Sequence, residues 1–225
     1  MAKHRATRAR ETSHPEQTGP GTSAAGAQKR RGKRRRKSLG REVRELWDTL
    51  VLAFVLVTLM KTFIVDLYKI PTGSMEPTLR PGDRILVLRY VYGLRVPFTT
   101  KRFFRWNDPD VGDIIVFNYP EEPKRDFIKR CVALPDDTIE ILNGRLVRNN
   151  EVLKEDPFPH NFYYNRGPYG REGERLKVPP MRYYALGDNS ASSKDSRYWG
   201  FLDDKYLLGK AVLIYWPLNR IRILK

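Results

Sequence analysis

Two residues in this sequence could act together as a nucleophile and a base, Ser74 and Lys129. Ser74 lies in the stretch PTGSMEPTL, where Pro71 and Gly73 predict a turn that would hold the hydroxyl in place. A serine hydroxyl becomes an effective nucleophile only when a neighbouring base takes its proton. Because a Thr-Gly-Ser tripeptide is more often an ordinary loop, the base has to be found elsewhere in the chain.

Lys129 is the candidate base. It lies in the strand-like run FIKRCVAL, in which alternate residues share a face, so Lys129 should point the same way as Phe127 and Cys131. Burial disfavours a charged amine and can lower the pKa of a lysine from about 10.4 to about 5–6. A neutral amine beside a serine hydroxyl can accept its proton. The alternative interpretation is an exposed lysine next to Arg130 on an edge strand.

A polar loop over residues 187–200, with the sequence GDNSASSKDSRYWG, is the third candidate cluster. Loops of this kind often carry function because a rigid scaffold positions them. Within it, Asp195 and Arg197 could form a bidentate ion pair, although a solvated loop with an ordinary surface pair is the alternative. Two of the three histidines lie near the N-terminus, so a Ser-His-Asp triad would have to use His160.

The charge of the chain is strongly uneven. The net charge is +16, from 42 Lys and Arg against 26 Asp and Glu. Residues 1–45 hold 14 Lys and Arg against 4 Asp and Glu, a net charge of +10. The other 180 residues hold 28 Lys and Arg against 22 Asp and Glu, a net charge of +6. The excess therefore belongs mostly to the N-terminal segment, which disfavours nucleic-acid binding by the folded part. The single cysteine, Cys131, excludes an internal disulfide.

An apolar run separates this basic segment from the rest of the chain. Residues 1–45 lack apolar periodicity and are predicted to be disordered, whereas residues 46–66 are apolar over a membrane-spanning length and predict a transmembrane helix. The positive-inside rule then places the tail in the cytoplasm and residues 67–225 outside it. Lys61 can snorkel to the interface, the alternative being a functional intramembrane lysine. A cleaved secretory signal is the rival interpretation, but no small-residue cleavage pattern follows the run.

Beyond the apolar run the sequence is predominantly β, and we predict one mainly β domain over residues 67–225. Asn143-Gly144 between two short apolar runs is the strongest hairpin signal. Residues 143–180 are rich in Pro, Gly and Tyr and predict a small accessory excursion from the sheet. The predicted strands are residues 84–91, 114–117, 127–134, 138–142, 145–148, 182–186 and 208–215.

Five motifs in this order resemble the type I signal peptidases, also called bacterial leader peptidases: PTGSMEPTL, RPGDRILVLRYVYG, VGDIIVFNYP, DFIKRCVALPDDTI and ALGDNSASSKDSRYWGFL. The resemblance covers about residues 46–217. It implies that Ser74 attacks the scissile carbonyl and that unprotonated Lys129 is the general base. It also implies an oxyanion hole formed by the backbone N–H of Ser74 and the hydroxyl of Thr72, a position at which many members carry serine.

The resemblance also implies supporting and substrate-binding residues. Ser193 would hydrogen-bond the Lys129 amine, Asp195 and Arg197 would hold the polar loop, and Asp188 would help to support it. At position 190 this chain has serine where many relatives have a charged or larger residue. The residues implied to line shallow pockets for the small side chains of the substrate are Ile70, Met75, Leu79, Ile85, Val116 and Ile128.

The family further implies an enzyme of the bacterial cytoplasmic membrane, crossing it once, that removes signal peptides from exported preproteins after small-x-small sites. We expect it to need no metal or other cofactor and to be a monomer, with membrane lipid and the secretion machinery as further partners. An extended substrate would add as a strand beside the segments around Ile70 and Phe127. We also expect apolar strands between Val91 and Phe104, together with Trp106, to dip into the bilayer surface.

Three alternatives stay open at this point. The basic tail could indicate a membrane-tethered nucleic-acid binder, although the basic run precedes the apolar segment. A self-cleaving repressor shares the Ser/Lys pair and a related β fold, but that class acts in the cytosol and needs no spanning helix. An inactive scaffold with the same fold would have the same sequence pattern.

Overall fold

The computed structural model describes residues 39–95 and 102–224. Most of the tail that we predict to be disordered, up to residue 38, therefore lies outside the described residues. So do residues 96–101, which belong to the stretch expected to dip into the bilayer surface. Of the aromatic residues expected there, Phe104 and Trp106 are exposed.

Helix α1 covers Leu39–Phe63 and includes most of the predicted spanning segment, 46–66. The described residues fall into two units, which divide between Arg44 and Glu45. Among the described residues, no helix combines the length and the apolarity required to cross a membrane. The membrane-spanning segment therefore stays a prediction.

Strands dominate the remaining described chain, and a short helix, α2, covers Ser196–Trp199. The strands are β1 (Val65–Lys69), β2 (Arg84–Leu88), β3 (Leu94–Arg95), β4 (Arg102–Phe104), β5 (Ile114–Tyr119), β6 (Glu122–Ala133), β7 (Thr138–Leu142), β8 (Arg145–Arg148), β9 (Glu151–Val152), β10 (Leu176–Lys177), β11 (Arg182–Leu186), β12 (Leu202–Asp203), β13 (Leu207–Trp216) and β14 (Arg222–Ile223). The predicted mainly β domain is confirmed.

The main sheet has the strand order β1-β2-β13-β5-β6-β11-β12, with β14 paired to β13. All of these pairs are antiparallel. Strand β6 lies between β5 and β11, where Lys129 pairs with Ile115 and Arg130 pairs with Leu186. The candidate base therefore lies on a central strand rather than on an edge strand, which removes the alternative of an exposed edge lysine.

A second, smaller sheet has the order β10-β7-β8-β9. Its hairpin turns at Asn143 and Gly144, whose φ angles are +50° and +76°. This pair of positive φ angles is typical of the two-residue turns that match the twist of a hairpin. A Cβ atom on Gly144 would also collide with the ring of Phe162, so glycine is required there. The predicted accessory excursion over 143–180 is thus a sheet that already begins at Thr138.

The apolar core nearest the candidate serine packs the loop between β1 and β2 onto the main sheet. Ile70, Met75 and Leu79 from this loop are buried against Ile85 of β2 and Val116 of β5. Burial of each such side chain stabilises the fold by about 1.5–3 kcal/mol. The loop that carries Ser74 is therefore fastened to the sheet by its own apolar residues.

Candidate active site

The side chains of Ser74 and Lys129 meet in the structure. Lys129 Nζ lies 2.9 Å from Ser74 Oγ and donates a hydrogen bond to the backbone carbonyl of Ile128, also at 2.9 Å. A base within about 2.6–3.2 Å of the hydroxyl can take its proton directly. The two residues predicted to act together are therefore placed for proton transfer.

The surroundings of Lys129 favour its neutral form. The residue is 4% exposed, and burial lowers the pKa of its amine to about 8. The nearby carboxylates of Asp195 and Asp188 oppose this by raising the pKa, whereas Arg197 lowers it. The amine also lies 5.3 Å from the centre of the Phe127 ring, which confirms that these two residues share a face. With a pKa of about 8, about a tenth of Lys129 is neutral at pH 7 and about half at pH 8, and the neutral form is the one that a general base requires.

Backbone hydrogen bonds fix the loop that carries Ser74. At its base, Ile70 N–H donates to the carbonyl of Asp83 at 2.8 Å, and Gly82 N–H donates to the carbonyl of Ile70 at 2.9 Å. Within the loop, Leu79 N–H donates to Met75 at 2.8 Å, which forms one helical turn immediately after Ser74. Since Met75 and Leu79 are both buried, this turn holds Ser74 at the edge of the core.

A cleft of about 430 Å³ opens beside Ser74. One wall is the segment from Tyr68 to Met75 and the other is the segment from Asp126 to Lys129 on β6, with Ser192 and Lys194 also contributing. Each wall includes strand residues, 68–69 of β1 and 126–129 of β6, whose main-chain groups could bond to an extended peptide. The cleft therefore has the form of a site for an extended chain that passes the Ser74 hydroxyl.

Only half of the predicted substrate-binding residues line this cleft. Ile70, Met75 and Ile128 do so. Leu79, Ile85 and Val116 do not: each is 0% exposed and packed in the core that includes Ile70 and Met75. These three residues support the wall of the cleft from behind instead of forming its surface.

The two residues predicted to assist the dyad directly, Thr72 and Ser193, differ in their exposure. Thr72 is exposed and lines the cleft beside Ser74. Ser193 is buried, but within the described part of the chain its Oγ has no hydrogen-bond partner, so the predicted bond to Lys129 is not formed. A Cβ atom on Gly187 would touch both Ser193 Oγ and the carbonyl of Ser74, which shows that Ser193 nevertheless lies close to the serine loop.

The ion pair predicted in the polar loop is present and fully buried. Arg197 donates from Nε and Nη2 to the two carboxylate oxygens of Asp195, each at 2.8 Å. Arg197 also donates to Ser190 Oγ at 2.6 Å, and the same oxygen accepts the Tyr164 N–H at 2.9 Å. The small serine at position 190 is thus a buried link between this loop and the segment before it.

Asp188 supports the site through residues that sequence reasoning missed. Its two oxygens accept from Nε and Nη2 of Arg130 at 2.8 and 2.7 Å, and Oδ2 also accepts from Thr78 Oγ1 at 2.5 Å. Arg130 is 1% exposed. Since arginine is rarely buried without a partner, its position on a central strand next to Lys129 was the signal available in the sequence.

Asn189 is a further residue that sequence reasoning missed. Its Nδ2 donates to the carbonyl of Gly73 at 3.0 Å, and its backbone N–H donates to the carbonyl of Ser74 at 3.1 Å. Asn side chains often bond to backbone groups in loops, which is the only sequence signal for this contact.

The remaining candidates do not join the site. His160 is exposed, pairs with Asp156 at 3.2 Å and does not line the cleft, so it cannot complete a triad with Ser74. Among residues 39–95 and 102–224, no group of three or more His, Cys, Asp and Glu side chains is arranged to hold a metal.

Comparison with known proteins places this chain among relatives that match most of its length. The family described as "Signal peptidase, peptidase S26" matches residues 43–216. "Probable signal peptidase I-2" of Synechocystis sp. is 36% identical over 185 residues, which span 80% of this chain and 76% of that protein. "Signal peptidase I" of Pseudomonas aeruginosa is 34% identical over 196 residues, spanning 72% of this chain and 69% of that protein. This chain therefore belongs to the signal peptidase family, peptidase S26.

Proposed function

We propose that this protein is a serine endopeptidase that removes signal peptides from exported preproteins, with Ser74 as the nucleophile and neutral Lys129 as the general base. The observation that carries the proposal is the 2.9 Å separation between Ser74 Oγ and a buried amine whose pKa is lowered to about 8. The relatives named signal peptidase I supply the substrate class.

The reaction begins when Ser74 Oγ bonds to the carbonyl carbon before the scissile bond and its proton passes to Lys129 Nζ. The carbonyl electron pair moves onto the oxygen, where the Ser74 N–H and the Thr72 hydroxyl stabilise the negative charge. When the C–N bond breaks, the Lys129 ammonium protonates the leaving amine and an ester remains on Ser74. Neutral Lys129 then takes a proton from water, which hydrolyses the ester and frees the serine.

The cleft favours an extended peptide with small side chains before the cut. Its lining includes the apolar residues Ile70, Met75 and Ile128, and Ser74 and Lys129 of the dyad also line it. A small-x-small site, such as Ala-x-Ala, presents side chains that shallow apolar depressions can accept. Main-chain hydrogen bonds from the two walls would provide affinity independent of sequence.

The proposal includes a location in the bacterial cytoplasmic membrane. The apolar residues 46–66, with the basic residues 1–45 before them, support a single crossing with the tail in the cytoplasm and residues 67–225 outside. The protein would then contact membrane lipid and meet preproteins as a monomer beside the secretion machinery. Protease treatment of two preparations tests this topology: sealed inverted membrane vesicles, whose cytoplasmic face is outside, and spheroplasts, whose outer face is exposed. Residues 67–225 should be digested only in spheroplasts.

Cleavage of a preprotein by the full chain in detergent micelles tests the activity. The comparison uses the wild type, Ser74→Ala, Lys129→Ala and a control, Lys124→Ala, which removes an exposed lysine from the same strand. We expect cleavage by the wild type and by Lys124→Ala, and loss of cleavage in both dyad variants. Cleavage that survives either dyad substitution would overturn the assignment of the dyad.

A further inference from the structure

The peptide unit that joins Gly73 to Ser74 is held by hydrogen bonds on one of its edges only. Its carbonyl, that of Gly73, accepts from Asn189 Nδ2 at 3.0 Å and from the backbone N–H of Glu76 at 3.2 Å. On its other edge is the Ser74 N–H, which has no acceptor among the described residues. Ser74 is half-buried and lines the cleft, so this N–H is available to bond a group of a bound substrate.

The geometry of a peptide bond connects these two edges. The Gly73–Ser74 bond is trans, so its carbonyl and its N–H point in opposite directions in one plane. Fixing the carbonyl toward Asn189 therefore fixes the Ser74 N–H away from the polar loop. Gly73, Ser74 and Thr72 all line the cleft, so this direction is open to a bound carbonyl.

Asn189 holds the following peptide as well. Its backbone N–H donates to the carbonyl of Ser74 at 3.1 Å. The space between the two loops is narrow, because a Cβ atom on Gly187 would collide with this same carbonyl. Two successive carbonyls are thus bound to one residue, and rotation of the Gly73–Ser74 peptide would break its bond to the Asn189 side chain.

We infer that the Asn189 side chain is a positioning residue that keeps the Ser74 N–H oriented as an oxyanion donor. This inference rests on the proposed function, because it concerns the same nucleophile. Asn189 touches neither the substrate nor the reacting atoms in this account. It acts through the peptide plane, whose rotation would turn the donor away and place a carbonyl oxygen nearer the developing negative charge.

The test compares Asn189→Leu and Asn189→Ala with the wild type and a matched control, Asn165→Leu. Both substitutions at position 189 remove the amide donor but keep the backbone bond to Ser74. Asn165 Nδ2 donates to a backbone carbonyl, that of Ile141, at 3.1 Å, so the control removes the same kind of bond outside the site. If Asn189→Leu does not fold, Asn189→Ala, which adds no bulk, carries the comparison.

The assay follows cleavage of a fluorogenic peptide with an Ala-x-Ala site by the full chain in micelles, and inhibition by a peptide aldehyde of the same sequence. Ser74 Oγ adds to the aldehyde carbon, and the resulting oxygen occupies the oxyanion position. Because Glu76 still binds the Gly73 carbonyl, we expect kcat to fall about 10- to 100-fold, less than the fall of about 10²- to 10³-fold for complete loss of an oxyanion donor. We expect the affinity for the aldehyde to fall by a similar factor. KM should not change, and neither should the pH of the acid limb, which is the low-pH arm of the profile of kcat/KM against pH.

Two results would overturn the inference. The first is a kcat within twofold of the wild type in both Asn189 variants. The second is a fall in kcat accompanied by an equal change in KM or by a shift of the acid limb, because either change would indicate general distortion of the site. A wild type that does not cleave the peptide or a preprotein would instead contradict the proposed function, so the two failures are distinguishable.

Discussion

Arg130, the residue that follows Lys129 on strand β6, binds Asp188 of the polar loop through two hydrogen bonds of 2.8 and 2.7 Å. Neighbouring residues on a strand point to opposite faces, so one strand presents the base on one side and this ion pair on the other. Asp188 immediately precedes Asn189, which binds the Ser74 loop. The pair thus connects the strand of the base to the loop of the nucleophile through a single short segment.

Removing one partner of this buried pair should destabilise the protein strongly. Asp188→Ala removes the carboxylate that balances the buried charge of Arg130, and breaking a buried ion pair in this way typically costs about 3–5 kcal/mol in the free energy of unfolding. Denaturant unfolding followed by tryptophan fluorescence measures the loss. The control is Glu122→Ala, which breaks the exposed pair with Arg125 and should change stability little. Equal small effects in both variants would show that the buried pair does not hold the segments together.

The hydroxyl of Thr72 is expected to be the second oxyanion donor. Thr72→Val keeps the shape of the side chain and removes the hydroxyl, so kcat should fall about 10²- to 10³-fold, as for other single oxyanion donors. Thr72→Ser retains the hydroxyl and should have a mild effect. Steady-state cleavage of the Ala-x-Ala peptide measures both variants, and a full rate in Thr72→Val would exclude the role of this hydroxyl.

The lowered pKa of Lys129 should make stability depend on pH. In the folded protein the amine titrates at about 8, whereas in the unfolded chain it titrates near its ordinary value of 10.5. Between these values the unfolded chain binds more protons, so stability rises with pH across this window and is lowest below pH 8. At about 1.4 kcal/mol per pKa unit, the change is about 3 kcal/mol.

Lys129→Met removes this titrating group while roughly conserving volume. We expect the variant to be more stable than the wild type near pH 7, and the difference to shrink as the pH approaches 10.5. Thermal unfolding of both proteins between pH 6 and pH 11 measures the difference. A difference that is constant over this range would contradict the linkage between burial of the amine and stability.

The ring of Phe127 lies 5.3 Å from the amine of Lys129 and is stacked on Tyr119, with ring centres 4.3 Å apart. Phe127→Ala should admit water, raise the pKa of Lys129 toward its ordinary value and shift the acid limb of kcat/KM to higher pH. Phe162→Ala, which truncates an exposed ring, is the control and should leave the limb in place. A limb that does not move in Phe127→Ala would mean that other groups exclude the water.

Much of the fold follows from local signals in the sequence. Strands that are preceded by turn residues, such as those beginning at Arg84 and Ile114, and the Asn143-Gly144 hairpin, lie where the sequence predicts them. Strand β1 was missed because Val65–Lys69 follows the apolar run of α1 without any turn residue between them. Its strand character comes from pairing with β2, which a local pattern does not contain.

The candidate site was predictable in its chemistry more than in its supports. Ser74 and Lys129 were candidates by residue type and were assigned as a dyad through the resemblance to the type I signal peptidases, whereas the depth at which each apolar residue lies depends on packing across the sheet. Val116 and Ile85 were therefore expected in the cleft and lie behind its wall. Asn189 was missed because it binds the backbone carbonyls of Gly73 and Ser74. Every residue has such a carbonyl, so the residue types at these positions do not indicate the contact.

Titration of the Lys129 amine itself tests the central claim most directly. The full chain labelled with ¹³C at lysine Cε is followed by NMR in micelles, with the Lys129 signal assigned by its absence in Lys129→Arg. We expect a midpoint near pH 8, coincident with the acid limb of kcat/KM. A midpoint near the ordinary lysine value of about 10.4, with the acid limb at a different pH, would contradict the account of Lys129 as the neutral base for Ser74.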